Sequence, residues 1–499
     1  MRDLIRATAA LSASTVVRIG VGLVTMKVWA LVVGPSGLGE YGVLQSLVGA
    51  GVLVGGLGLS TSVVRFGAEA IALEDGTKAA VTMWSATLAS WVAGVVTGVA
   101  FWMLRDPIAE YVLDGTPSWI VGLMGVAVAF SIAAAADTGV INAYHRIGTL
   151  SKMSVVGTLV GGGVAVAILL SLGRPGVPWA VASGGVVGWV VSYAYRLREG
   201  FQRVEQRWGR ETCEATLTLL RHGLPFTAAS VVGTGATLLL PFIVLHELGV
   251  DEVGQYRAAM GISVGYVGFL LTALAMDYYP RLSGLRTSAQ LATTVNQQLS
   301  LLLLAGGSVI LFAQATATLV VPLLYSSAFT PSVAVLEWQL VGTIFRFWSY
   351  GFAFVVLARG TSLAYLIVEA IGGGALLLGT WGGVRALGLV GTGIGFLTAY
   401  AVYGFIVWAY VRKTTGVKIE SYNILIMLAL TLMSLSIQGI GFLVDGWIRI
   451  GIGIAIGLVF STHAINKLYA NYRSDNISDD DPVADGLVGH GPVNGTTHL

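Results

Sequence analysis

The sequence predicts an all-α polytopic membrane protein of about fourteen transmembrane helices, and three observations lead there. Of 499 residues, 55% are hydrophobic and only 11% are charged, where an average soluble domain carries about 25% charged residues. Apolar runs long enough to cross a bilayer, roughly 20 residues each, recur between short polar turns. Lysine and arginine gather in every second turn, as the positive-inside rule requires of a multi-span chain. Soluble, secreted and nucleic-acid-binding readings all fail on this composition. The single cysteine, Cys213, excludes an intramolecular disulfide.

The spans fall near 9–33, 40–64, 79–104, 117–141, 153–173, 177–195, 223–246, 256–276, 298–322, 333–358, 362–384, 388–411, 423–443 and 447–466. The first lacks a small-residue cleavage site and reads as a retained helix, not a removed signal peptide. It holds two cations, Arg18 near mid-depth and Lys27 about 13 Å further along at 1.5 Å per residue. An unpaired cation at that depth costs at least ~2.5 kcal/mol, so it normally faces a polar interior or a partner. The reading is a wet, cationic chamber within the bundle. Nine residues at about 100° each turn Lys27 to the face opposite Arg18, so both line one chamber only if the helix bends, for instance at Gly20 or Gly22.

Orientation follows from the turns. The N-terminus, the even-numbered turns and the final segment hold 20 Lys and Arg residues; the odd turns hold 5: Arg105, Arg174, Arg257, Arg385 and Arg449. Both termini are therefore expected in the cytoplasm. Every outside loop is short, which leaves no external domain for soluble chemistry. The basic stretch 198–221 reads as a cytoplasmic linker, and 467–499 as a disordered acidic tail.

An internal repeat divides the rest. Gly34 to Tyr41 (GPSGLGEY) and Gly249 to Tyr256 (GVDEVGQY) share G-x-x-x-[LV]-G-[EQ]-Y at an offset of 215 residues. Six spans per half, starting on the same side, predict an N-lobe over 1–197 and a C-lobe over 222–415. The lobes would be related by a pseudo-two-fold axis along the membrane normal. A helix pair over 416–466 is appended.

Within the spans, Arg346 is the second-half counterpart of Arg18 as a chamber cation. Arg65 and Arg257 lie near helix ends, where interfacial anchoring competes with substrate contact. The aromatics beside Arg346, among them Trp348 and Tyr350, suit stacking on sugar faces or contact with lipid. Asp137, Glu337 and Glu369 are membrane carboxylates. Each is a candidate for ion coupling, or else one half of a fixed ion pair. No phosphate-binding Gly-rich motif, metal-ligand spacing or nucleophile–base set is visible, so no cofactor and no enzymatic activity are expected.

Several stretches resemble O-antigen translocases of the Wzx type, the polysaccharide-transport branch of the MATE-like exporter superfamily. They are STVVRIGVGLVTMKVWALVVGPSGLGEYG, VVRFGAE, DEVGQYRAAMGISVGYVGF, YYPRLSGL and FTPSVAVLEWQLVGTIFRFWSYGFAFVVLARGTSLAYLIVEA, spread over roughly residues 8 to 415. The likeness is strongest to the enterobacterial common antigen flippases, which carry cations at positions matching Arg18, Lys27, Arg65 and Arg346. It implies two six-helix lobes around a cavity open to one side at a time. It implies an undecaprenyl-pyrophosphate-linked glycan as substrate, the bacterial inner membrane as location, and polysaccharide polymerase or ligase machinery as partner. With no ATP site in the sequence, the energy is expected from an ion gradient, of protons or sodium, or from the substrate's own distribution. The appended pair departs from the roughly twelve spans of these flippases. A multidrug/cation antiporter is disfavoured because its chamber should be acidic. A peptidoglycan-precursor flippase, also fourteen-span and cation-lined, is not separated by composition.

Overall fold

The computed structural model describes residues 2–200, 209–285, 287–444 and 446–479, with side chains between residues 14 and 470 outside a few positions. Among them the chain is helical with no strand. In lipid this is forced, because every backbone N–H and C=O must be satisfied within the segment. In chain order the helices are α1 (Arg2–Gly55), α2 (Leu59–Ala72), α3 (Gly76–Met103), α4 (Arg105–Tyr111), α5 (Ser118–Ala143), α6 (Ile147–Leu172) and α7 (Val177–Arg198). The second half comprises α8 (Arg210–Leu248), α9 (Val250–Met260), α10 (Phe269–Gly284), α11 (Ser288–Leu301), α12 (Gly307–Leu324), α13 (Ser332–Arg359), α14 (Ser362–Leu387) and α15 (Leu389–Thr415). The appended pair is α16 (Ser421–Leu443) and α17 (Trp447–Asp479).

Twelve of the described helices are long and apolar enough to cross a membrane. The first of these is two spans joined at Gly34, whose φ of 63° and ψ of −165° break the helix ahead of Pro35. Residues 250–284, which open on the polar VDEVGQYR, are helical where the sequence predicts a span but are not among these twelve. They run through a π-helical stretch, Gly261–Tyr266.

Two large buried clusters hold the bundle, each centred in one half and reaching across into the other. Leu44, Met124, Val128 and Leu169 anchor one; Leu299, Leu336, Phe347 and Phe352 anchor the other. The lobes meet where the two copies of the repeat cross. A Cβ on Gly39 would land on the Val250 carbonyl, and one on Gly254 would overlap the Pro35 carbonyl. Gly39 and Gly254 are the same position of the repeat, so backbone lies on backbone at the pseudo-axis. Small residues permit this approach, and within lipid such packing replaces the hydrophobic effect as the cohesive force. A second crossing joins α2 to α8: Gly58, at φ 65°, leaves no room for a Cβ against Gly223. Beside it, Ser62 Oγ donates to the Leu219 carbonyl at 3.0 Å and Ser85 Oγ to that of Thr212 at 3.3 Å.

The appended pair is fastened to the second lobe by polar contacts along its length. Ser300 Oγ donates to Asn423 Oδ1 at 2.6 Å, and Asn423 Nδ2 donates to Asn296 Oδ1 at 3.1 Å. Ser434 Oγ donates to Gln314 Oε1 at 3.1 Å, and Arg449 pairs with Glu337. Interhelical hydrogen bonds in membranes average about 0.6 kcal/mol each, so the series fixes register more than it adds stability. Helix α8 begins at Arg210, inside the stretch 198–221; residues 201–208 of that stretch lie outside the described residues. The last helix continues past 466 to Asp479, and 480–499 also lie outside.

Candidate functional site: a charged cavity in the second lobe

A cavity of about 290 Å³ opens between α8, α13, α14 and α15. Arg346 and Glu369 line it together with Tyr350, Tyr365, Tyr400 and Tyr403. Three sequence features build it. Gly372 and Gly373 keep α14 free of side chains where Tyr403 and α8 approach. Pro241 withholds the amide that would bond the carbonyl of Thr237, a lining residue, and leaves that acceptor without its helical donor. On the far side, Gly268 makes room for the guanidinium: a Cβ there would stand 3.0 Å from Arg346 Nη1.

Arg346 Nη1 is buried and has no hydrogen-bond partner. Its guanidinium lies 5.8 Å from the centroid of the Tyr400 ring, a cation–π contact that holds it without neutralising it. Glu369 accepts a hydrogen bond from Tyr403 Oη at 2.9 Å and forms no ion pair with Arg346. One cavity thus carries a guanidinium and a carboxylate, neither with an ionic partner among the described residues. A free guanidinium offers five donors in a planar fork that fits phosphate bidentately.

The other predicted residues are distributed elsewhere. Tyr350 lines the cavity, its hydroxyl donating to the Leu271 carbonyl at 3.1 Å. Trp348, expected beside Tyr350 as a sugar-stacking ring, is instead buried against Phe352 and Gly404, because the ~200° of rotation between the two residues directs it into the core. Asp137 is 2% exposed and accepts a 2.5 Å bond from Arg196 Nη1, which also donates to Thr87 Oγ1. Glu337 is paired with Arg449. For these two acids the fixed-pair alternative describes what is observed.

Of the five cations, Arg346 lines this cavity, and Arg18, Lys27, Arg65 and Arg257 do not. Arg18 and Arg65 are exposed. Helix α1 runs unbroken until Gly34, so nothing re-phases Arg18 and Lys27. Thr25, within ~20° of Arg18 on the helical wheel, points at Gly162 of the first lobe. Lys27 faces the other way and donates to the Pro322 carbonyl of α12 at 3.2 Å. Arg257 lies along Gly42 and over the Tyr41 ring, at the repeat crossing. Sequence reasoning passed over Tyr400 and Tyr403. Their spacing of three places both on one face of α15, which is the signal that could have found them.

Architecture and cavity define the class: a two-lobed helical membrane bundle with a polar pocket inside it. Residues 4–286, more than half the chain, match the family described as Polysaccharide biosynthesis protein, and the chain belongs to that family. Among curated proteins it is 23% identical over 422 residues to the Lipid III flippase of Escherichia coli (strain K12), covering 80% of this chain and 96% of that one. Among solved structures it resembles the inward closed conformation of the lipid II flippase MurJ, with a TM-score of 0.73 at 13% identity, covering 93% of this chain and 99% of that one. An inward-facing MATE-family multidrug resistance transporter follows at 0.61 and 18% identity, covering 82% and 98%. These two likenesses establish the fold. The longer overlap with the first agrees with the presence of an appended helix pair.

Proposed function

We propose that the protein is a flippase moving a polyprenyl-pyrophosphate-linked oligosaccharide from the cytoplasmic to the periplasmic leaflet of a bacterial inner membrane. Its termini are cytoplasmic, and the lobes rock in alternating access. The observation that carries this reading is the unpaired, buried Nη1 of Arg346 beside a cavity inside a membrane bundle. A buried cation left without a carboxylate is costly, and a diphosphate anion is the partner that relieves the cost. Family membership and the similarity to a lipid III flippase supply the glycan-lipid class. Glu369, hydrogen-bonded but not ion-paired, is the residue proposed to exchange a proton or sodium ion as the lobes change state. Asp137 and Glu337, already committed to arginines, serve structure.

The experiment is leaflet translocation of a defined lipid-linked oligosaccharide in proteoliposomes, with and without a proton or sodium gradient. Wild-type protein is expected to flip it, and Arg346→Ala to reconstitute normally but fail. Equal transport by the two proteins would remove the basis for the reading.

A further inference from the structure

We infer that a second cavity, at the break between α1 and α2, is a neutral carbohydrate subsite that takes one sugar ring of the transported glycan. The inference rests on the flippase reading and adds where the glycan is held.

The cavity measures about 190 Å³ and is lined by five hydroxyl side chains, Ser60, Thr61, Ser90, Thr227 and Ser230, and by five apolar ones, Phe226 among them. No charged side chain lines it. Hydroxyls elsewhere in the bundle bond to the carbonyl one turn back: Thr87 to Met83, Thr97 to Ala93, Thr138 to Ala134, Thr158 to Ser154. None of the five makes such a bond to any described residue. Thr227 is only 8% exposed, and its Oγ1 is buried with no partner. An unsatisfied buried hydroxyl is costly, more so where no water from a lipid phase can reach it.

The backbone around the cavity points the same way. Leu57 and Gly58 both take positive φ, 50° and 65°, and interrupt the helix. The Leu57 amide turns to the Val54 carbonyl at 3.4 Å and the Leu59 amide to that of Gly56 at 3.0 Å. The carbonyls of Leu53 and Gly55 are thereby left without their usual donors four residues on. Broken helices at membrane depth are tolerated where they line a cavity, and they commonly form binding sites.

The chemistry of the lining selects the ligand. An anion finds no cation here, a cation finds no carboxylate, and a hydrocarbon would strand the hydroxyls. The volume equals that of roughly six waters at ~30 Å³ each, the size of one sugar ring and not of a chain. A pyranose presents hydroxyls at its edge and C–H bonds on its face. Phe226, 51% exposed, offers that face a flat apolar platform.

Position links the pocket to the charged cavity. Phe226 and Ser230 line the hydroxyl pocket, and Gly233 and Thr237 line the Arg346 cavity. These four residues fall on one face of α8, within about 60° of one another, and Ser230 is only ~4.5 Å of rise from Gly233. A diphosphate beside Arg346 would place the sugar bonded to it along that stripe.

The test measures equilibrium binding to the purified protein in nanodiscs, by native mass spectrometry. The probes are undecaprenyl pyrophosphate without sugar and the same lipid carrying one glucose, galactose or N-acetylglucosamine. Wild-type protein should prefer at least one sugar-bearing lipid over the bare one by about tenfold, the yield of one or two hydrogen bonds plus a ring contact. Thr227→Val combined with Ser230→Ala should abolish the preference and leave bare-lipid affinity unchanged. The rim variant Phe226→Ala should weaken it, and Thr227→Ser, which keeps the hydroxyl, should retain it. A preference that survives both Thr227→Val/Ser230→Ala and Phe226→Ala, or equal binding of bare and sugar-bearing lipids by wild type, overturns the subsite and leaves a water-filled pocket. Wild-type protein that binds none of the lipids overturns the flippase reading itself.

Discussion

Two sites of membrane charge, one in each lobe, are built in opposite ways. In the first, Asp137 and Arg196 are both nearly inaccessible and bonded at 2.5 Å, with Thr87 taking a further guanidinium hydrogen. In the second, Arg346 and Glu369 border the same cavity unpaired. The first arrangement is finished: every charge has its counter-charge, and nothing is offered to a ligand. The second is deliberately incomplete in the physical sense that its charges are satisfied only when something enters. A membrane carboxylate or guanidinium is therefore no functional marker by itself. What separates site from scaffold is whether the partner is supplied by the chain.

The sharpest way to break this contrast is to unpair the closed site. Asp137→Ala strands Arg196 and should cost about 3–5 kcal/mol of stability, read as a large fall in unfolding temperature in detergent. Arg346→Ala strands no partner, so its unfolding temperature should stay close to wild type. If both variants melt alike, the two sites do not differ as described. The same Arg346→Ala protein should transport about a hundredfold less, the ~2–5 kcal/mol expected for losing one side of a desolvated charge contact. Arg346→Lys, which keeps the charge but not the planar fork, should recover only part. Proteoliposome flux distinguishes the three.

Two smaller effects concern the seam between the lobes. Gly254→Ala puts a methyl group onto the Pro35 carbonyl. The overlap should cost about 1–3 kcal/mol and bias the lobes apart at that end. Labelling of Leu38→Cys, buried here, in a Cys213→Ser background should then accelerate. Lys27 donates to a carbonyl in the last turn of α12, a helix end left without backbone partners. Lys27→Met should shift the same labelling by the ~0.3–1 kcal/mol typical of such contacts. An effect as large as that of Arg346→Ala on flux would instead mean that Lys27 touches substrate.

Much of this architecture was legible because membrane helices announce themselves by length and composition. The helical segments, the kink between spans one and two, and the repeat that forms the crossing all follow from local pattern. Pairing is what local pattern hides. Asp137 and Glu337 were recognised as buried acids, but their arginines lie 59 and 112 residues away. Both arginines read as ordinary charges at helix ends. No periodicity encodes which of two distant helices will be neighbours. The break at Gly56-Leu57-Gly58 was missed for another reason. Glycines are so common in membrane spans that two more inside 40–64 looked like packing residues, although closely spaced glycines around a bulky residue are also how a chain enters the left-handed region. Arg18 and Lys27 show the converse. The 100° rotation per residue already set them on opposite faces, and the straight α1 keeps them there.

The meeting of Gly39 with Gly254 has a kinetic consequence. Two main chains that touch without interlocking knobs behave as a plain bearing: separating them requires no rotamer to be unpacked. The barrier to parting at this contact is then set by the attachments around it, Lys27 on Pro322 and Arg257 over Tyr41, together with the α2–α8 crossing. Each is individually weak, so the seam can open and reseal within the microsecond-to-millisecond window of domain motions. Turnover would then be timed by the cargo and not by its gate.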